Sequence, residues 1–297
     1  MKKEKYTKNE HFIPNFLLRL FKDEDGRLYY LNKKRLNIST CSPDNACFQE
    51  DIYETKRNFG KSECYILRND IEDKLSIRED RYSNLCRKII QICDNPDNLY
   101  IPILHGEEKE LLAEFIINLH LRNPDKMSYY KSILSDKLKS TDGFFKELEY
   151  LKKESPDENI TKILDGAVEY NLKQTIVLPN NEKGVLNHYK SELLSKGSYC
   201  ILKSCDDGFI ISDNIASVSE NYFMFIPISP RYAVMVSFDK YFKNQSLKRH
   251  NRIYSLDTNS ESEMILKLYQ ESKKYIYGQR KTLEKIKNLI DKKNIPL

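Results

Sequence analysis

The feature that most constrains the fold is a change in hydrophobic period along the chain. Between residues 70 and 196, apolar side chains recur at the spacing of helices, as in Ile71, Leu75 and Ile89. On both sides of this region the apolar residues form short β-prone runs, at about 27–40 and 198–238. A helical middle bracketed by β elements predicts a single α+β domain over residues 1–297. It would have a mainly helical core and a small antiparallel sheet built from N-terminal and C-terminal hairpins.

Local signals place the individual elements. The run HFIPNFLLRLF has helical spacing, and Pro14 suits a first turn because its missing N–H would be unpaired there anyway. Turn residues on either side of LYYL predict a hairpin, and Asp207-Gly208 between YCILK and GFIIS predicts another. Two strands should flank Pro227 to Pro230. The remaining predictions are an ordered loop at 41–54, helices at 70–93, 107–123, 126–139, 143–154, 156–174 and 182–196, and a C-terminal helix at 261–293.

Charge and cysteine content limit the class of protein. The 297 residues include 49 basic and 44 acidic ones, so a net charge of +5 permits a nucleic-acid partner without demanding one. The chain has no apolar run of about 18 residues and no apolar leader, so no membrane association is expected. Seven cysteines with no CxxC spacing favour reduced thiols and a cytoplasmic location. The abundance of Lys, Asn, Ile and Tyr suggests a bacterial or phage source. Oligomeric state is left open.

Several common catalytic motifs are missing. The sequence has no GxxxxGK[ST], GxGxxG, HExxH or GxSxG pattern. No nucleotide cofactor is therefore expected, and an ATP-driven enzyme is disfavoured.

The first candidate site is Ser212-Asp213-Asn214, directly after the β-prone run GFII. Polar residues at a strand end lie on a rigid support next to loops, where sites are commonly built. Asp213 could then act as a general base, a metal ligand or the orienter of a histidine. The alternative is an Asx-turn, in which Asp and Asn bind their own backbone.

A second candidate is His11 with Asn15 and Arg19, where Asn15 and Arg19 share one face of the first helix. The alternative is a capping histidine beside a solvated helix face.

The third candidate is a stripe of polar residues four positions apart: Glu110, Glu114, Asn118 and Arg122. Such a stripe is usually an exposed helix face, and an arginine at a helix C-terminus is favoured by the helix dipole.

A fourth candidate is the acidic segment Glu50-Asp51, followed by Tyr53. Adjacent carboxylates can bind a cation if other oxygen ligands approach. The alternative is a solvated acidic loop with Tyr53 packed against the core.

In their order along the chain, these stretches resemble a bacterial family known only as domain of unknown function 4238. HFIPNFLLRLF is similar to its "QHYxPxxxLRxF" opening, although Glu10 stands where the family has Gln. FIINLHLRNPDKM resembles a helix end "fialqxxRtpxfr", GFIISDNIAS resembles "fitSDnPv" with Ile215 in place of Pro, and MFIPISPRYAVMV resembles "ifPLsPrlal". RLYYLNKK, CSPDNACFQEDIYE and ESKKYIYG resemble a hairpin, a segment ending in Tyr and a helix. The resemblance covers roughly residues 10–285.

The resemblance marks His11, Arg122, Ser212, Asp213 and Asn214, with Asp51 and Tyr53 as further positions. It implies a fold and a shared site but no activity. The leading hypothesis is a hydrolase or nuclease acting on a phosphate-containing or nucleic-acid substrate.

In that enzyme His11, Asp213, Asn214 and Ser212 would be catalytic, and Arg122, Arg19 and Tyr53 would bind substrate, Arg122 through its planar fork. A divalent metal is compatible with Asp51 or Asp213 as ligands. The competing hypothesis is a non-catalytic binding or sensor module whose polar motif residues form a structural network. A role in defence is a further expectation that rests only on the inferred source.

Overall fold

The computed structural model describes residues 7–59, 62–98, 101–141, 143–154, 158–179, 184–215, 223–237 and 250–293. Within these ranges the molecule is α+β and mainly helical, which confirms the predicted fold class. Across the same ranges, every helix is too short or too polar to span a lipid bilayer.

The N-terminal part is built mostly of short strands. Its elements are β1 (Asn9–His11), α1 (Asn15–Arg19), β2 (Leu28–Asn32), β3 (Asn37–Cys41), a 3-10 turn (Pro43–Asn45), β4 (Phe48–Glu50), β5 (Lys56–Phe59) and β6 (Ser62–Tyr65). The predicted β2–β3 hairpin is confirmed, with Tyr30 opposite Ser39. Residues 41–54 are more ordered than a loop, because β4 pairs with β1 and β1 offers it free backbone groups.

The helical middle is confirmed, and local sequence sets most of its boundaries. Its helices are α2 (Asp70–Asp94), α3 (Glu107–Arg122), α4 (Pro124–Thr141), α5 (Gly143–Glu154), α6 (Glu158–Val177) and α7 (Val185–Lys196). Helix α2 ends at Asp94, two residues before Pro96, and α3 ends at Arg122, two residues before Pro124, because proline disfavours helical backbone in the residue that precedes it.

The expectation that the polar stripe of α3 forms an exposed helix face is wrong for three of its four residues. Helix α3 packs against α2, α4, α6 and α7, and the exposed fractions of Glu114, Asn118 and Arg122 are only 6%, 1% and 0%. Each of the three has protein partners: the Tyr82 hydroxyl donates to Glu114, and Asn118 donates to the Val177 carbonyl at 2.9 Å. Buried polar groups need such partners, so these three residues belong to the core, whereas Glu110 at the other end of the stripe is exposed as expected.

Within the described residues, the C-terminal part adds six strands and two helices. They are β7 (Ser198–Lys203), β8 (Ile211–Ser212), β9 (Phe223–Pro227), β10 (Tyr232–Ser237), β11 (Ile253–Ser255), α8 (Thr258–Glu271), β12 (Tyr275–Gly278) and α9 (Arg280–Lys293). Strands β9 and β10 flank Pro227 to Pro230 as predicted. An inner sheet has the order β11-β7-β10-β9, and a terminal sheet has the order β3-β2-β12-β8.

Two predictions for this part are wrong. The runs around Asp207-Gly208 do not form a hairpin, because β7 pairs with β10 in the inner sheet while β8 pairs with β12 in the terminal sheet. The 261–293 segment is not one helix, because β12 interrupts it. Tyr275, Ile276 and Tyr277 are residues of high strand preference, and pairing with β2 on one side and β8 on the other outweighs the helical spacing around them.

Candidate functional site

Arg122, the last residue of α3, is enclosed by protein groups. Its Nε donates to the Tyr53 hydroxyl at 2.7 Å, its Nη1 donates to Glu79 at 2.5 Å, and its Nη2 donates to the His11 carbonyl. Burial acts to lower the pKa of Arg122, but Tyr53 and Glu79 outweigh this effect and raise that pKa above its ordinary value. Arg122 is thus a buried cation whose planar donors fix strand β1 to helices α2 and α3.

Tyr53 is buried within the same network. Its hydroxyl accepts from Arg122 and donates to the His11 carbonyl at 3.1 Å, and its backbone N–H donates to Glu10. Burial raises the pKa of the Tyr53 hydroxyl. The structure therefore brings together the sequence-predicted positions His11, Tyr53 and Arg122, but it does so through the backbone of His11.

The imidazole of His11 points away from Arg122's donors. Its Nε2 lies 3.3 Å from the Pro43 carbonyl, and the ring packs edge-on against Phe48 at 6.2 Å between centroids. Burial lowers the pKa of His11, while the contact with the Pro43 carbonyl acts in the opposite direction. Burial is the larger of these two effects on the pKa, and the contact with Pro43 helps to fix the 3-10 turn.

Arg19 and Asn15 also contact this turn. Arg19 lies 3.5 Å from Asp44, and the Asn15 amide donates to the same carboxylate. Both partners of the Arg19–Asp44 pair are more than half exposed, so the pair contributes little to stability. The polar stripe His11–Asn15–Arg19 is therefore directed at residues 43–45.

Asp213, directly after β8, binds the segment between α8 and β12. One carboxylate oxygen accepts the backbone N–H of Lys273 at 2.7 Å, and the other accepts those of Lys274 at 2.8 Å and Tyr275 at 3.1 Å. Three backbone donors on one carboxylate are charge-assisted hydrogen bonds, which are stronger than neutral ones. Asp213 thus holds residues 273–275 in place at the start of β12.

Ser212 and Asn214 complete this arrangement. The buried Ser212 hydroxyl accepts the Asn214 backbone N–H at 3.0 Å, which is a local turn made by the serine, whereas the Asx-turn considered as the alternative would use the side chains of Asp213 or Asn214. The Asn214 amide donates to the Glu271 carbonyl at 3.1 Å and accepts from Asn123 at 3.2 Å. Because Asn123 follows Arg122, the two networks meet at the C-terminal end of α3.

Lys33 is a member of this arrangement that sequence reasoning missed. Its ammonium donates to the carbonyls of Tyr269 at 2.7 Å, Gln270 at 3.2 Å and Ser272 at 2.6 Å, at the end of α8. A cation at a helix C-terminus satisfies unpaired carbonyls and complements the helix dipole. Burial lowers the pKa of Lys33, and the nearby Asp213 carboxylate opposes that effect. Its position one residue after β2 in the lysine pair Lys33-Lys34 gave no signal of this role.

A pocket of about 420 Å³ opens beside the Asp213 segment. We call it the Asp213 pocket; among its lining residues are Phe12, Gln49, Asn123, Asp213, Lys274 and Tyr277. Of the three polar markers His11, Arg122 and Asp213, Asp213 lines this pocket, whereas Arg122 is sealed in the core. The amides, lysines and aromatic rings around the opening offer hydrogen bonds, positive charge and stacking surfaces to a ligand.

The two side chains proposed as metal ligands, Asp51 and Asp213, already bind other groups of the protein. Asp51 accepts from the Tyr65 hydroxyl at 3.1 Å and lies 3.4 Å from the Lys56 ammonium, while Asp213 binds the three N–H groups described above. In the described part of the chain, no three or more His, Cys, Asp or Glu side chains are grouped as a metal ion would need.

Two carboxyls of this region were also missed, Glu10, which binds Tyr53 of the Arg122 network, and the partly buried Glu72, which lies near Arg122. Glu10 is fully buried, and one of its oxygens accepts the Tyr53 N–H at 2.6 Å, while the other has no partner among the described residues. Burial raises the pKa of Glu10 to about 8 and that of Glu72 to about 7. Glu10 immediately precedes His11, and its place where the resembled motif has Gln was the available signal.

Comparison with known proteins agrees with the sequence resemblance. A family model described as Protein of unknown function (DUF4238) matches residues 9–282. Comparisons with curated proteins and with solved structures found no match. The matched range runs from β1 into α9 and includes every residue of the Arg122 and Asp213 networks. The chain is a member of the DUF4238 family.

Proposed function

We propose that this chain is a non-catalytic binding or sensor module that holds a phosphate-bearing ligand in the Asp213 pocket. The observation that carries the proposal is the engagement of the Asp213 carboxylate by three backbone N–H groups. A carboxylate so engaged is a poor general base, but it fixes Lys273, Lys274 and Tyr275 as a wall of the pocket.

The chemistry of the wall favours an anionic ligand with a planar part. Lys273 and Lys274 are exposed and supply positive charge, although Lys273 also pairs with Asp125. Phe12, Phe48 and Tyr275 offer ring surfaces, and the exposed Gln49 offers an amide that can donate and accept hydrogen bonds. Nucleotides combine phosphate and a flat base, so they match this set.

The test is equilibrium binding of adenosine 5′-monophosphate, followed by calorimetry. We expect saturable binding by the wild-type protein and a loss of at least about fivefold in affinity for Lys274→Ala, since one phosphate contact is worth on the order of 1 kcal/mol or more. Lys146→Ala, an exposed lysine on α5, is the matched control and should bind as the wild type does. Absence of binding to nucleotide and to inorganic phosphate would refute the proposal.

A hydrolase or nuclease is the second candidate function, and Glu72 favours it. A carboxyl with a pKa of about 7 beside a buried arginine is suited to proton transfer at neutral pH. Incubating the protein with nucleotide and with oligonucleotide, with and without Mg²⁺, separates the two candidates. Product formed by the wild type and lost in Glu72→Gln would replace the binding module with the enzyme.

We also infer a cytoplasmic location. Six of the seven cysteines are free thiols in the structure, which leaves out the side chain of the seventh, Cys64; four of the six are buried, as is usual in a reducing compartment. Labelling of unfolded protein with a thiol reagent directly after cell lysis should modify all seven cysteines.

A further inference from the structure

The terminal sheet carries a row of tyrosines on one face. Tyr277 lies opposite Tyr30, and Tyr275 lies opposite Asn32, so these four side chains project to the same side. We call this side the tyrosine face. The other side carries Leu31 and Ile276, which are fully buried, and α9 packs against the sheet. The tyrosine face is therefore the side of this sheet that borders the pockets.

The rings on this face are arranged as a support for further aromatic groups. Tyr30 and Tyr275 meet edge to face with their centroids 5.4 Å apart, and Tyr277 lies 6.3 Å from each of them. Tyr277 is buried, whereas Tyr30 and Tyr275 are only partly buried. The rings of Tyr30 and Tyr275 thus keep solvent-accessible surface, and the buried ring of Tyr277 packs against both of them.

Positive charge surrounds these rings. A second pocket, of about 510 Å³, adjoins the Asp213 pocket, and both are lined by Lys273, Lys274 and Tyr275. We call it the Arg35 pocket; it is also lined by Tyr30, Lys34 and Arg35, and no carboxylate belongs to the lining found for it in the described residues. In those same residues, the side chains of Lys34, Arg35 and Lys274 form no ion pair, so their charge is available to a ligand.

We propose that the tyrosine face binds single-stranded nucleic acid, with bases stacked on Tyr30 and Tyr275 and phosphates at Lys34, Arg35 and Lys274. This inference rests on the proposed function and extends it from one nucleotide to a strand that passes from the Asp213 pocket into the Arg35 pocket. Stacking on aromatic side chains along a positively charged groove is how single strands are bound with little sequence preference. In a duplex the bases are already stacked and paired, so they are not available to the tyrosines.

The experiment is fluorescence anisotropy of the full chain with a labelled oligothymidine of about ten nucleotides, a length within the usual site size. We expect the single strand to bind at least about tenfold more tightly than adenosine 5′-monophosphate and than a duplex of the same length. Tyr30→Leu should weaken binding about tenfold, as expected for the loss of one stacked base. Tyr30→Phe keeps the ring and should bind normally, which separates stacking from folding.

The salt dependence of binding tests the phosphate contacts separately. In the double variant Lys34→Met/Arg35→Met, the slope of log affinity against log salt should fall by about 1.4, since each phosphate contact on a single strand contributes about 0.7. An unchanged slope, or preference for the duplex, would overturn the inference. If the mononucleotide binds but the oligonucleotide binds no more tightly, the inference fails while the proposed function stands. If neither binds, both fail.

Discussion

The sequence resemblance singles out Arg122 and Asp213, and both side chains bind backbone groups of distant segments. Arg122 donates to the carbonyl of His11, and Asp213 accepts N–H groups of residues 273–275. Every residue has backbone N–H or carbonyl groups, so a charged side chain that binds backbone does not depend on which residue types its partners are. Arg122 thus stabilises the contact of β1 with α2 and α3, and Asp213 stabilises the connection between α8 and β12. The ligand-binding groups of the proposed function lie beside these two side chains.

Replacing Arg122 should destabilise the protein strongly. In Arg122→Met the apolar stem is kept, but Glu79 and the His11 carbonyl lose their donor inside the protein. Breaking a buried ion pair from one side costs about 3–5 kcal/mol, which urea unfolding would measure. Arg19→Met removes an exposed pair and should change the free energy of unfolding by at most about 1 kcal/mol. Adding Glu79→Gln to Arg122→Met should recover part of the loss.

A different outcome would assign Arg122 to ligand binding. If Arg122→Met unfolds like the wild type and loses only affinity for nucleotide, then the guanidinium must become accessible in solution, and the buried network described above is not its main role.

Glu10 should make stability fall as pH rises from about 5 to about 8. Burial raises its pKa in the folded protein to about 8, so over this range the folded state keeps a proton that the unfolded state has lost. The contribution is therefore complete below the unfolded pKa and is lost as pH rises through the folded pKa. One pKa unit corresponds to about 1.4 kcal/mol, so the decline should be on the order of 2–4 kcal/mol.

The variant Glu10→Gln tests this assignment. Glutamine is neutral at every pH and has nearly the shape of protonated glutamate, so the decline between pH 5 and pH 8 should become shallower, with a remainder due to Glu72. Glu50→Gln, at an exposed position, should leave the pH profile unchanged. Equal slopes for Glu10→Gln and the wild type would show that Glu10 is ionised in the folded protein.

At the scale of elements, the sequence predicted best those helices and strands whose limits depend on residues close to them in the chain. The end of α3 follows from Pro124, and the β2–β3 hairpin follows from the turns around LYYL. Strand β12 could not be derived from residues 272–279, because its strand conformation depends on pairing with β2 and β8. Likewise, the resemblance pointed to Asp213, but its partners are backbone groups of residues 273–275, which have no sequence signature.

The junction between α8 and β12 should depend on Lys33. Lys33→Met removes the donor to three carbonyls at the end of α8, at a cost of about 1–2 kcal/mol in the free energy of unfolding. Hydrogen exchange should also quicken at the amides of residues 273–275. Lys34→Met alters the exposed neighbour and should change neither quantity. Equal effects of the two substitutions would contradict the capping role of Lys33.

For the whole molecule, the pairing pattern predicts one cooperative unit. The terminal sheet joins β2 and β3 to β8 and β12, so segments from both halves of the chain share this sheet, and both halves contribute residues to one hydrophobic core. Calorimetry should show a single unfolding transition whose calorimetric and van't Hoff enthalpies agree. Two resolved transitions would instead divide the chain into separate domains.

The hydrogen bonds from Lys33 to the end of α8 can form only late in synthesis of the chain, long after β2 has been made. Lys33 and its acceptor Tyr269 are 236 positions apart. At about 5–20 residues per second, β2 waits on the order of ten to fifty seconds before its partner leaves the ribosome. Until then its edge is open to other chains, so it needs protection. Nascent chains arrested before Tyr275 has emerged should be cut by protease near β2, whereas chains arrested after α9 has emerged should resist.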